Sequence, residues 1–192
     1  MQQSGHKHSS EYDEKGDKRV LTHMHALSLQ KDIICLGIHD TSQTALKEAG
    51  RKWGVPTFKS FSEMMNLSPD LVIIAVPDEF HEEYLRSVAD YSPKLVICEK
   101  PLTLDYSSSI LIRDIYKKLD ITLVVNFQRR FDSEVLNLKR KIDSGELGKP
   151  LGGVLWYSKG IIHNGSHAID LFLFLFGSIR ECGVYEKVID YL

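Results

Sequence analysis

The chain is short of cysteine, of net charge, of long apolar runs and of glycine-rich loops, and each shortage excludes something. Its three cysteines, Cys35, Cys98 and Cys182, are odd in number and far apart. Cys35 and Cys98 sit in apolar strand-like runs, so free thiols in a reducing cytoplasm are expected rather than disulfides. A formal net charge of −2 leaves no basic footprint for DNA or RNA, and nucleic acid is not an expected partner. No apolar run approaches the ~20 residues that cross a bilayer, so no membrane partner is expected. The apolar stretch Ile169–Phe176 contains Asp170 and reads as a core helix. The first nineteen residues are polar and lack the apolar centre of a signal peptide. They read as a disordered tail, and His6 and His8 within it as solvated residues rather than metal ligands. There is no internal repeat and no low-complexity tract.

What is present is an ordinary globular composition, 43% hydrophobic and 26% charged over 192 residues, enough for one full core and part of another. Lys31 to Asp40 reads as a strand ending at an acid, after a helix through His23–Ser28. Thr44 to Trp53 reads as a helix closed by Gly54. Leu71–Val76 and Leu95–Cys98 are β-branched, uninterrupted runs of the kind buried on both sheet faces, stopped by Pro77 and Pro101. Helical segments follow at Glu79–Asp90 and Asp105–Leu119, and Ile121–Asn126 returns to strand. This alternation predicts an α/β fold, a Rossmann-like doubly wound parallel sheet over residues 20–126. A helix over Ser133–Ser144 and a strand at Val154–Tyr157 would then begin a second, incomplete α/β (α+β) domain over 127–192.

Two places carry chemistry. Glu99-Lys100-Pro101 emerges from the end of a buried strand, where open α/β sheets bind ligands, and Lys100 is a candidate for handling a proton there. His167 opens the apolar helix, and an imidazole exchanges protons near neutral pH. Together they suggest redox chemistry on an alcohol. His163 and His167 with Asp170 could alternatively hold a metal, but Asn164-Gly165-Ser166 argues against one continuous helix there, and no metal site is assigned.

The succession Ile74-Ala-Val-Pro77 with His81, Cys98-Glu-Lys-Pro-Leu102, Asn126-Phe-Gln-Arg-Arg-Phe131, Ser144-Gly-Glu-Leu-Gly148 and Asn164-Gly-Ser-His-Ala-Ile-Asp170 resembles that of the Gfo/Idh/MocA oxidoreductases. The resemblance covers His25 to Gly177. It implies NAD- or NADP-dependent hydride transfer at a sugar, sugar-nucleotide or polyol hydroxyl carbon, and a second domain that carries substrate and mediates homo-oligomerisation. Carried over, Lys100 would hydrogen-bond the reacting hydroxyl and His167 would accept or return its proton, with His163 beside it. Asp40 would meet the adenosine ribose and favour NAD. Ala75, Val76, Pro77, His81, Glu99, Lys100, Pro101 and Asn126 would lie along the cofactor, and the Lys100–Pro101 bond is often cis in the family.

Three departures stand beside these matches. No Gly-x-Gly-x-x-Gly is present, although glycines let a backbone approach a pyrophosphate at a helix N-terminus. His163 stands where many members have an acid. Members also continue with further strands after the position of Gly177, so a truncated second domain is expected. A non-catalytic remnant that binds nucleotide weakly or not at all is therefore the alternative reading. Arg129 and Arg130 read either as substrate or phosphate contacts or as a solvated pair, and Asp170 as a residue turned to polar neighbours.

Overall fold

The computed structural model describes residues 20–183; the predicted N-terminal tail, with His6 and His8, lies outside them. The chain divides into two compact units, Met1–Pro69 and Asp70–Leu192.

In the first unit, α1 (His23–Ser28), β1 (Ile38–His39), α2 (Gln43–Trp53), β2 (Thr57–Phe58) and α3 (Phe61–Met65) follow one another. The two strands pair in parallel, Ile38 with Thr57 and His39 with Phe58. The sequence predicts a strand from Lys31, but only its last residues form one. Among the described residues of this unit β2 is the only strand pairing with β1, and Ile33, Ile34 and Leu36 stay exposed. A β-branched run becomes a strand only where a neighbour takes its backbone groups. Helix α2 matches its sequence signals. The Ser42 hydroxyl accepts from Ala45 N at the start, and Gly54, at φ 70°, closes it in the left-handed conformation that glycine reaches without strain.

The second unit is built on a three-stranded parallel sheet, β3 (Leu71–Ile74), β4 (Leu95–Cys98) and β5 (Thr122–Val125), in that spatial order. The connections are α4 (His81–Ala89), entered through a 3-10 turn at Asp78–Phe80, and α5 (Tyr106–Lys118). Their apolar faces make the core: Leu85, Val88, Ile112 and Tyr116 with Val72, Ile74, Val96 and Cys98, all buried. The Tyr116 hydroxyl donates to the Leu85 carbonyl at 2.8 Å, joining α5 to α4. Both strand runs alternate between buried and half-buried residues, so the expectation of full burial on both faces is corrected. Helix α6 (Ser133–Asp143) follows, and then a π-helical turn at Gly160–Gly165 runs straight into α7 (Ser166–Phe176).

Two expectations fail here. Val154–Tyr157 forms no strand: it pairs with no strand among the described residues, and Trp156 is 93% exposed. The helix is also continuous through Asn164-Gly165-Ser166. Glycine and asparagine lower helix propensity, but the wider π turn accommodates them. Gly165 is buried, and a Cβ there would lie 2.9 Å from the exposed Tyr157 ring, which would have to turn aside to admit it.

Candidate functional site

The register fixes the site. Ile74, Cys98 and Val125 are aligned partners across β3, β4 and β5, so Ala75–Pro77, Glu99–Pro101 and Asn126–Phe127 all leave the sheet at its carboxyl edge. Backbone bonds continue the ladder by one residue, Glu99 N to Ile74 O at 2.9 Å and Asn126 N to Cys98 O at 2.8 Å. The Asn126 amide then donates to Glu99 Oε1 at 2.6 Å, which ties the two turns together. The Lys100–Pro101 bond is cis. Lys100 itself is half-buried, while Ala75 and Pro77 are exposed at the same edge.

His81 takes a different place from the one the resemblance implies. Its ring is fully buried, with Nδ1 2.6 Å from the Pro101 carbonyl and Nε2 3.0 Å from the Val76 carbonyl. Each nitrogen faces a backbone carbonyl and the ring is fully buried, so the side chain is closed to a ligand. It straps the turn after β3 to the turn after β4, and so holds the segment that carries Lys100.

His167 stands at the first turn of α7, its ring edge-on to that of Phe127 at 5.9 Å. Burial, then the positive charges of Lys100 and Arg129, push its pKa below the ordinary histidine value, against the opposing pull of Asp170 and Glu99. Lys100 and His167 are thus brought within electrostatic reach of each other. The buried Nδ1 of His167 has no hydrogen-bond partner among the described residues, an unmet capacity that buried polar atoms rarely keep.

His163 lies on the π turn, largely exposed, with Nδ1 3.9 Å from Asp78 Oδ2. A carboxylate therefore does accompany the histidine pair, supplied by the residue after Pro77 rather than at position 163. Sequence reasoning missed Asp78, although its place directly after a strand-ending proline was a signal. It also left Arg130 open. The structure pairs Arg130 with Asp170, and Asp170 has the polar partner expected of it. Among the described residues no group of three or more histidine, cysteine or acidic side chains is placed to hold a metal ion.

Asp40 belongs to the first unit. It follows β1 as expected, exposed, and Oδ1 accepts from Ser42 N at 2.7 Å. Ahead of it, the first glycine among the described residues is Gly37. Helix α1 is six residues long, and the Thr22 side chain already accepts from His25 N at its start.

The sequence model of the GFO_IDH_MocA family, described as an oxidoreductase family with an NAD-binding Rossmann fold, matches residues 18–127. Inositol 2-dehydrogenase 2 of Mycolicibacterium vanbaalenii is 38% identical over 120 residues, 56% of this chain and 35% of that protein. Myo-inositol 2-dehydrogenase of Thermotoga maritima is 32% identical over 130 residues, 67% of this chain and 39% of that protein. Among solved structures, a probable dehydrogenase from Thermotoga maritima superposes with a TM-score of 0.69 at 28% identity, over 80% of this chain and 51% of that one. The chain thus spans well under half the length of these curated relatives. With the family model covering more than half of its residues, the chain belongs to the Gfo/Idh/MocA oxidoreductases and has their Rossmann fold.

Proposed function

We propose that this chain carries the catalytic half of a nicotinamide-dependent oxidoreductase acting on a polyol or sugar-type hydroxyl, with an inositol as the first substrate to try. The observation that carries the reading is that His167 lies within electrostatic reach of Lys100 at one sheet edge, where burial and then the Lys100 ammonium favour the neutral imidazole. Lys100 donates a hydrogen bond to the reacting oxygen. His167, held towards its neutral form, takes the hydroxyl proton, and a positioned base of this kind is worth about 10²- to 10⁴-fold. His81 and the Asn126–Glu99 bond keep the Lys100 turn in place. When bound, the nicotinamide ring supplies the acceptor or donor of the hydride.

The residues fit that cofactor at one end. The unpartnered Nδ1 of His167 and the exposed Ala75–Pro77 turn suit the nicotinamide side. Asp40 suits an adenosine ribose and favours NAD over NADP, because a 2′-phosphate would meet a carboxylate. A pyrophosphate fits poorly, since the Thr22 side chain already takes the His25 amide at the start of α1 and the sequence has no Gly-x-Gly-x-x-Gly ahead of that helix. This second observation favours the alternative, a non-catalytic remnant with weak or no nucleotide binding. Residues 20–126 would form the nucleotide-binding domain and residues 127–192 would belong to the substrate domain. Homo-oligomerisation through the latter, and a cytoplasmic location suited to three free thiols, belong to the same reading.

The deciding experiment is a thermal-shift titration with NAD⁺, NADH, NADP⁺ and NADPH, followed by turnover with inositols. A ligand at 100 times its Kd adds about 2.7 kcal/mol to folding stability. A shift with NAD⁺ or NADH, and turnover abolished in both Lys100→Ala and His167→Ala, is the expected result. A cooperatively folded protein that shifts with none of the four selects the remnant.

A further inference from the structure

Arg130 lies in the 3-10 turn Gln128–Phe131 that follows β5, and Asp170 lies one turn into α7, three residues after His167. Their contact is a fork: Arg130 Nε donates to Asp170 Oδ1 at 3.0 Å and to Oδ2 at 2.9 Å, and Nη2 donates to Oδ1 at 2.6 Å. The Asp170 side chain is 8% exposed and that of Arg130 41%. The guanidinium also sits 5.4 Å from the centre of the Phe174 ring on the same helix. One turn back along each segment, Phe127 meets His167. The segment after β5 and the start of α7 therefore touch twice in succession, once through the catalytic candidate and once through an ion pair.

We propose that Arg130 and Asp170 are a positioning pair for His167, seating its ring at the sheet edge and balancing the charge it faces. The inference rests on the reading of His167 as the proton carrier. An exposed ion pair would be a weak basis for it, but here the carboxylate is buried and held by a planar fork, the arrangement that fixes orientation as well as distance. The groups acting on the ring are Lys100 and Arg129, which favour its neutral form, and Asp170 and Glu99, which favour its charged form. Arg130 offsets the Asp170 carboxylate, which follows the ring by three residues on α7. Removing either partner unbalances the ring in opposite directions.

The test is an NMR titration of the His167 ring in the whole 192-residue chain, assigned with His167→Gln. Arg130→Gln leaves the Asp170 carboxylate uncompensated and should raise the midpoint by roughly half a pH unit, and Asp170→Asn leaves the guanidinium uncompensated and should lower it by a similar amount. Arg130→Lys keeps the charge and should stay near the wild-type midpoint. If the pair only glued α7 down, every variant would wet the ring and drift upward towards the ordinary histidine value. That common upward drift, or no movement in any variant, overturns the proposal. Should Asp170→Asn fail to fold, the comparison of Arg130→Gln with Arg130→Lys decides alone, a rise in both overturning it. Because the ring is read directly, loss of the dehydrogenase reading would appear as absent turnover and leave the midpoints as they are.

Discussion

His167 links pH to stability with a definite sign. Its folded-state pKa lies below the unfolded value of about 6.5, chiefly because burial disfavours the charged ring. Between the two values the unfolded chain binds more protons, so the stability of the neutral ring is complete above the unfolded pKa and falls away as pH drops through the folded one. Urea unfolding at pH 7.5 and pH 5.5 should show a smaller drop in His167→Gln than in the wild type, and equal drops would reject this role. Cys98 offers an independent check on burial. Enclosure in the sheet, then the charges of Glu99 and Asp78, push its thiol up to about 12, whereas Cys182 is exposed. Since the thiolate is the reactive form, a thiol reagent at neutral pH should label Cys182 rapidly and Cys98 only on unfolding. Labelling of both at one rate would contradict the packing. At this scale the sequence singled out candidate residue types, as with Lys100 and His167. It could not show that both nitrogens of His81 face backbone carbonyls, because those carbonyls belong to turns set by the fold.

Helices with complete end signals were legible, and segments that depend on a distant partner were not. Asp105 and Leu119 bracket α5 because the carboxylate accepts from Ser108 N at 2.8 Å and the closing residue returns its own N–H to Ile115 O. These are local interactions, visible in the order of residues. Asp105→Ala should cost about 1 kcal/mol, read by chemical denaturation, and a neutral result would mean that water or Thr103 replaces the cap. The β1 run and the Val154–Tyr157 run have equally good strand composition, yet β1 forms at two residues and the other not at all. Pairing is a property of two segments, and composition describes one. The π turn before α7 was hidden for a related reason: it sets Gly165 against Tyr157, a contact between two segments. Gly165→Ala presses on the exposed Tyr157 ring rather than on backbone, so it should change stability by no more than about 1 kcal/mol, and it should disturb His167, two residues on, more than any residue of α5.

In the whole molecule the second unit joins a dry core to an apolar border. Beside the buried residues of its sheet and helices, an apolar groove of ≈ 270 Å³ runs along Leu155, Tyr157, Ala168, Ile169, Phe172 and Ile179. Next to it Leu151 is fully exposed and Val154 and Trp156 are 76% and 93% exposed. Side chains that leave little water behind on folding contribute little to it, since stabilisation scales with the apolar area removed from solvent. Exposed apolar patches act between molecules instead, by promoting association. Replacing Leu151, Val154 and Trp156 together with threonine or serine should therefore change unfolding free energy by no more than about 0.5 kcal/mol per site, while lowering light scattering on concentration. A loss of several kcal/mol would instead mean that these residues are packed in solution, and the segment before the π turn would then belong to the core that positions His167.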